Sequence, residues 1–349
     1  MKLEDLETPA VVVDLDRLEA NVARLQRYLD EHSIANRPHI KTHRIPEIAR
    51  LQVDAGAVGI ACQKTSEAQV MADAGFGDIL IPYNIIGQAK LRRLFDLARR
   101  VKVSVAADSA FTVRGYATAA AQGGAELPVL VEFDTGSGRC GVQSPQQAAE
   151  LARLIEGSPS LRFDGLMTHP CNEDSDRFVR ETRALLQADG IAVQRVSYGG
   201  TPVVWQAHTF AEVTEYRAGT YVYGDRATVR SGAMSVDECA LGVVTTVVSR
   251  PTADRGIIDA GSKSLTSDLL GMDDYGLILD YPDARIYGLS EEHGHVDFSR
   301  CARKPDIGER VTILPNHCCV VSNLFDQVFG TRGQDVEVTW PVAARGRSQ

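Results

Sequence analysis

LPVLVEFDTGSGRCGVQSPQQAAELARLI, residues 127–155, holds one complete strand-to-helix step. Residues 127–134 form a compact apolar run of strand length. Ser144-Pro145 then opens a helix with proline at its first position, and Ala148, Leu151, Ala152 and Ile155 recur at helical spacing. Working outward, seven further short apolar runs read as strands at 38–41, 58–62, 78–83, 102–107, 163–169, 193–198 and 213–223. Amphipathic segments lie among them. The first is Leu18, Val22, Leu25 and Leu29, preceded by Asp14 and Asp16, either of which suits a cap. Strands apolar throughout imply a parallel sheet covered on both faces. Eight such repeats fill most of the ~250 residues of a typical (β/α)₈ barrel. A doubly wound open sheet is the competing reading, but no G-x-G-x-x-G follows the first strand.

Beyond residue 230 the texture changes. Leu241–Ser249, Gly256–Asp259, Leu277–Leu279, Arg285–Leu289, Val311–Leu314, Gln327–Phe329 and Val336–Trp340 are strand-like, with Gly, Pro and Asp between them and no long helix. The expected fold is therefore α/β: a (β/α)₈ TIM barrel over residues 1–230, followed by a C-terminal β-domain over 231–349. The first ~12 residues, strand-like at Pro9–Val13, are free to join the β-domain.

The chain has 349 residues, 44% of them hydrophobic and 24% charged, an ordinary globular balance. No apolar run approaches the ~20 residues a membrane span needs. The acidic start Met1-Lys-Leu-Glu-Asp-Leu-Glu7 is unlike a secretion signal, so a cytoplasmic location is expected. A net charge of −9 with no basic block argues against nucleic acid. The seven cysteines are scattered and odd in number, which reads as reduced thiols.

Active sites of such barrels lie at the carboxyl ends of the strands. Lys41 closes the first strand in Arg37-Pro38-His39-Ile40-Lys41-Thr42-His43; Gln63, Tyr83, Asp108, Asp134, Arg139 and His169 fall at later strand ends. Desolvation makes such a lysine an imine-forming nucleophile, although a packed stem with its ammonium reaching water fits the position equally well. Tyr198-Gly199-Gly200-Thr201 and Gly219-Thr220-Tyr221 end the last two strands, a common phosphate site in these barrels. Opposite a strand-end lysine, they make pyridoxal 5'-phosphate (PLP) the economical cofactor. Pro315-Asn316-His317-Cys318-Cys319 is a second constellation. On an extended segment His317 and Cys319 face one side, and imidazole with thiolate suits a divalent ion such as zinc. A core thiol beside a surface histidine is the alternative.

With these residues in view, the chain resembles the D-threonine aldolase and D-serine dehydratase group of fold-type III (alanine racemase-like) PLP enzymes over essentially its whole length. The resemblance rests on Thr8-Pro9-Ala10, the Arg37–His43 stretch, Gly138-Arg139-Cys140-Gly141-Val142, Gly199-Gly200-Thr201 and Ala218-Gly219-Thr220-Tyr221. It continues through Asp259-Ala260-Gly261-Ser262-Lys263, Glu291-Glu292-His293-Gly294 and the 315–319 stretch. It implies a Schiff base on Lys41, phosphate held by the two Gly-Thr turns, and Arg139 beside the cofactor ring. It implies also that His317 and Cys319 hold a divalent metal (Mn, Mg or Zn) near the β-hydroxyl of a small D-amino acid, with His317 in the catalytic set, and that the enzyme is a homodimer. Two departures stand out. Thr168 precedes His169 where some D-threonine aldolases have tyrosine, and the metal pair is His-x-Cys, as in dehydratases, where several aldolases have His-x-Asp.

The preferred activity is retro-aldol cleavage to glycine and an aldehyde. The alternatives are D-serine or D-3-hydroxyaspartate dehydration, amino-acid racemisation and a non-catalytic PLP carrier. A racemase would leave the metal pair unexplained, and carriers resemble the barrel alone. His39, His43, His169 and His293 are candidate bases or structural histidines, and Asp259 with Lys263 a candidate ion pair.

Overall fold

Asp14 Oδ1 accepts from the Arg17 amide at 3.0 Å, so Asp14 caps the helix Leu15–Glu31. Leu18, Leu25 and Leu29 on that helix are fully buried and Val22 nearly so, the apolar stripe its sequence period requires. Ser144 caps the helix Pro145–Glu156 by accepting from the Gln147 amide, as the Ser-Pro step predicts.

The computed structural model describes residues 1–123 and 125–349. Its strands begin with β1 (Ala10–Asp14), β2 (Ala35–Asn36), β3 (Ile60–Ala61), β4 (Asp78–Ile81), β5 (Lys102–Ala107) and β6 (Leu127–Glu132). Next come β7 (Leu161–Met167), β8 (Arg195–Gly199), β9 (Glu215–Arg217), β10 (Leu241–Ser249), β11 (Arg255–Ile258) and β12 (Leu277–Ile278). The last are β13 (Arg285–Leu289), β14 (Gly294–Asp297), β15 (Arg310–Leu314), β16 (Gln327–Arg332) and β17 (Asp335–Pro341).

Among the described residues, β2 to β9 make an eight-stranded parallel sheet in the order β2-β9-β8-β7-β6-β5-β4-β3. Its two ends meet. His39 bridges to Ala61, and the Val58 and Ala61 amides donate to Asn36 O and Pro38 O, each at 2.9 Å. The sheet is thus a closed (β/α)₈ barrel and not the open alternative. Ala61, Leu80, Ala106, Leu130 and Met167, one from each of β3 to β7, pack as a fully buried layer. Burying a leucine contributes about 1.5–3 kcal/mol, so this layer is a main source of the barrel's stability.

Contacts gather into two units. The barrel unit takes residues 25–41, 48–219 and 346–349, and the other takes 1–24, 42–47 and 220–345. The second unit holds the nine-stranded sheet. There β1 lies between β10, antiparallel with Val12 opposite Gly242, and β16, parallel with Val12 opposite Phe329. Leu6, Ala10, Val12 and Val244 form its buried cluster, with Leu3, Phe329 and Val336 packed against it.

Three expectations change. Strand β2 stops at Asn36, and Lys41 lies instead in the 3₁₀ turn Ile40–Thr42. Pro38 has no N–H to give the ladder, so beyond Asn36 pairing is reduced to the His39–Ala61 bridge and the Arg37 and His39 amides, which donate to Tyr216 O and Ala218 O before the chain turns. The segment at 317–319 is not extended: His317 precedes a helix, Cys318–Leu324. Lys263 pairs with Glu292 at 2.7 Å, not with Asp259; Asp259 accepts from the hydroxyls of Thr8 and Thr245. No helix among the described residues is long and apolar enough to cross a membrane.

Candidate active site

A polar ladder runs through the barrel interior. Arg37 is held by Glu215 and Asp78, each at 2.6 Å, with the Arg37 and Glu215 side chains 5% and 3% exposed. Glu215 also accepts from Ser197 Oγ, and Ser197 Oγ accepts from Arg217 Nη1. Arg217 Nη2 reaches Thr168 O at 3.0 Å. Burial pulls the pKa of this guanidinium down to about 10, against the charges of Glu215 and Glu132. Arg217 is therefore a desolvated cation fixed at the carboxyl end of β9.

His169 lies near it. A Cβ placed on Gly199 would sit 3.2 Å from His169 Cδ2 and 3.4 Å from Arg217 Nη2, so glycine there keeps a narrow space clear. Burial first, then the charges of Lys41, Arg139 and Arg217, lower the His169 pKa to about 3. Its Nδ1 is buried without a hydrogen-bond partner. His39, likewise held well below its ordinary value by burial and by Lys41, bonds Gln63 Oε1 through Nε2 at 2.9 Å. Its Nδ1 accepts from the Lys41 amide at 3.4 Å. Lys41 is half-buried. Arg139, half-exposed, reaches the buried Glu132 at 3.4 Å.

The two Gly-Thr steps end neighbouring strands, since Gly199 of β8 pairs beside Arg217 of β9. Gly200 has φ +124°, a conformation that favours glycine, and Thr201 opens a 3₁₀ run to Thr209. Gly219 leads into a second 3₁₀ turn, Thr220–Val222. Tyr198 is placed differently from its glycine neighbours. Its hydroxyl donates to Asp176 Oδ1 at 3.0 Å and its ring packs edge-on against Phe133 and Phe210, on the helix side of β8. Tyr221 is buried.

The antiparallel unit carries the other constellation. His317 Nδ1 lies 2.8 Å from Asp268 Oδ2, and the His317 and Cys319 side chains hydrogen-bond each other. A 3.3 Å hydrogen bond joins Cys319 Sγ and Thr42 Oγ1. The Cys318 thiol holds the Cys319 pKa well below its ordinary value, against burial, with His317 acting the same way. Burial opposes charge on His317, but Cys319 and Asp268 outweigh it and raise its pKa to about 9. Both shifts favour the charged forms, a thiolate beside an imidazolium, and these are the two groups that would take up a divalent ion with release of a proton. No group of three or more His, Cys, Asp or Glu converges on a metal position among the described residues. Two protein ligands leave places open for water and substrate. His43 is buried, with Nδ1 accepting from the Ile45 amide, and His293 is exposed.

Residues 13–227 match the family described as "Alanine racemase, N-terminal domain", and residues 240–331 match a serine dehydratase domain. The chain is 36% identical to the D-threonine aldolase of Arthrobacter sp, a match covering 99% of this chain and 95% of that one. It belongs to the D-threonine aldolase and D-serine dehydratase family. The crystal structure of the D-threonine aldolase from Filomicrobium marinum superposes with TM-score 0.92 at 31% identity, covering 100% of this chain and 98% of that one. The D-threo-3-hydroxyaspartate dehydratase from Delftia sp. HT23 gives 0.87 at 29%, covering 97% and 98%. A cysteine-to-alanine variant of a D-threo-3-hydroxyaspartate dehydratase is known in a metal-free form, with TM-score 0.86 at 28% identity.

As a member of this family the chain is a PLP-dependent lyase of fold-type III. The barrel residues fit that cofactor: the space beside Gly199, the left-handed turn at Gly200 and the unpartnered His169 nitrogen all await a polar group. Sequence reasoning passed over Arg217, Glu132 and Asp268. Glu215-Tyr216-Arg217 did carry a signal, because two charges at spacing two in a buried strand both face the barrel interior. Asp268 carries none, being a loop residue far from His317 in the chain.

Proposed function

We propose that the chain cleaves D-β-hydroxy amino acids by a metal-assisted retro-aldol reaction, taking D-threonine to glycine and acetaldehyde. The observation that carries this reading is the His317–Cys319 pair backed by Asp268. The full-length likeness to a D-threonine aldolase supports the aldolase branch.

PLP would be held by Lys41 and the two Gly-Thr turns, where it supplies a conjugated ring that accepts the electrons of a bond broken at Cα. A divalent ion on His317 and Cys319 would supply Lewis acidity toward a β-hydroxyl. The rest falls to the chain's own groups. Arg217, desolvated and fixed by Ser197 and Thr168, presents a cation whose position does not have to be reorganised. His169 stays neutral at working pH, with its buried Nδ1 unpartnered by the chain. Lys41 would hold the cofactor through its side-chain amine, which is also a group able to carry a proton. We further propose a homodimer; light scattering at the mass of one chain would overturn that.

A second reading, dehydration, draws on the His-x-Cys form of the pair at His317 and Cys319 and on the 31% identity to the D-threo-3-hydroxyaspartate dehydratase of Delftia sp.. A product assay separates the two. Enzyme loaded with PLP and Mn²⁺ or Zn²⁺ is given D-threonine and D-serine, with and without chelator. Glycine and acetaldehyde from D-threonine, abolished by EDTA, are expected. A 2-oxo acid with ammonia would replace the aldolase reading with dehydration, and activity indifferent to EDTA would remove the metal from both.

A further inference from the structure

The ring of His317 is held from behind by a loop that its own neighbour holds in place. Asn316 Nδ2 donates to Asp268 O at 3.3 Å and to Asp274 O at 2.6 Å. Asn316 Oδ1 accepts from Arg226 Nη1 at 2.9 Å, and Arg226 also pairs with Asp274. The loop is tightly bent where it meets these groups: Thr266 has φ +63°, Leu270 φ +48°, and the Asp268 amide donates to Thr266 Oγ1 at 3.3 Å. The Asp268 carboxylate then returns to His317 Nδ1 at 2.8 Å. Asn316 and His317 are consecutive, so one residue pins the main chain of Asp268 while Asp268 pins the side chain of the next.

We propose that Asp268 is a positioning residue for the metal: by accepting from Nδ1–H it fixes the His317 tautomer that presents Nε2 as the ligand, and so sets metal affinity. This deepens the metal-assisted reading above and rests on it. The physical warrant is general. An imidazole has two nitrogens, and a carboxylate on one decides which is left bare, fixes the ring's rotation and raises the basicity of the ligand atom. Losing such a partner typically weakens metal binding 10–100-fold. The carboxylate is half-exposed, but the main chain that carries it is held by Asn316 at its carbonyl and by Thr266 at its amide, so the side chain starts from a fixed base.

The measurement is Zn²⁺ affinity by competition with a chelating dye, made on PLP-loaded enzyme for wild type, Asp268→Ala and Asp268→Asn. The expected result is 10–100-fold weaker binding for Asp268→Ala. Asp268→Asn should fall between, because its amide oxygen still accepts from Nδ1–H without the charge. Cobalt-loaded samples give a second readout. The thiolate-to-Co²⁺ absorption should persist in Asp268→Ala at saturating cobalt, showing Cys319 in place, while the ligand-field bands shift as His317 loses its fixed orientation. Equal Zn²⁺ affinity in wild type and both variants would overturn the role of Asp268. Absence of Zn²⁺ and Co²⁺ binding by wild type would overturn instead the metal reading on which it rests.

Discussion

His169 shows what burial among cations does to one imidazole. Its folded pKa of about 3 lies below the ordinary 6.5, so between those values the unfolded chain binds more protons than the folded one. Stability from this group is complete above pH 6.5 and is lost as pH falls toward 3. In the PLP-free protein the His169 ring resonances should show no titration step between pH 5 and 8 by NMR; a midpoint near 6.5 would mean the site is wetter and less cationic than described. This is also the scale at which sequence reading was most uneven. Lys41, the glycines and the His-x-Cys pair stood out because their types are unusual at strand ends or in that spacing. Arg217 and Asp268 did not, because an arginine in a strand and an aspartate in a loop are common residues until the partners that fix them are known.

Strand β7 carries a bulge that the pattern of apolar residues hid. Val129 pairs with Phe163 and Leu130 with Gly165, leaving Asp164 as the extra residue. Asp164 thereby turns its carboxylate to Arg162 and Arg195. Gly165, at φ +138°, brings its backbone so close to β8 that a Cβ would lie 1.8 Å from Arg195 O. Gly165→Ala should therefore destabilise by about 3 kcal/mol or more, read as a lower urea midpoint; a loss under ~1 kcal/mol would show that the β7–β8 pairing shifts freely. Seven of the eight barrel strands, β3 to β9, were legible as apolar runs, whereas β2 lies ahead of the run expected at 38–41, and the ends were not legible, since pairing stops where geometry and proline dictate. Strand β14 and the helix Cys318–Leu324 were missed altogether, being short and without period. The strand-like start of the chain, by contrast, was legible, and β1 proves central to its sheet. Deleting Met1–Asp14 removes the partner of both β10 and β16, exposing two apolar faces and two unpaired ladders. Such a chain should be recovered mostly as aggregate, with loss of near-UV dichroism; a soluble, ordered product would contradict the pairing described.

At the scale of the molecule, any ion that binds only the folded chain must raise its stability. Zn²⁺ at 100 times its Kd adds about 2.7 kcal/mol, so the urea midpoint should rise with Zn²⁺ and return with EDTA. Cys319→Ala should abolish the rise; an equal rise in that variant would place the ion elsewhere. The net charge of −9 does not oppose this, since local charge governs a site. The pairing of β1 with β10 and β16 also bears on how the protein is made. On the ribosome the first strand emerges long before either partner exists, and it must stay unpaired while β2 to β9 are synthesised. Its final contacts close the longest loops in the chain, the kind that form last and most slowly. Evolution inherits the same constraint: because the antiparallel unit is assembled from three separated stretches, no single cut in the gene transfers it to another protein. The sheet unit therefore cannot be moved without the barrel segments that lie between its stretches.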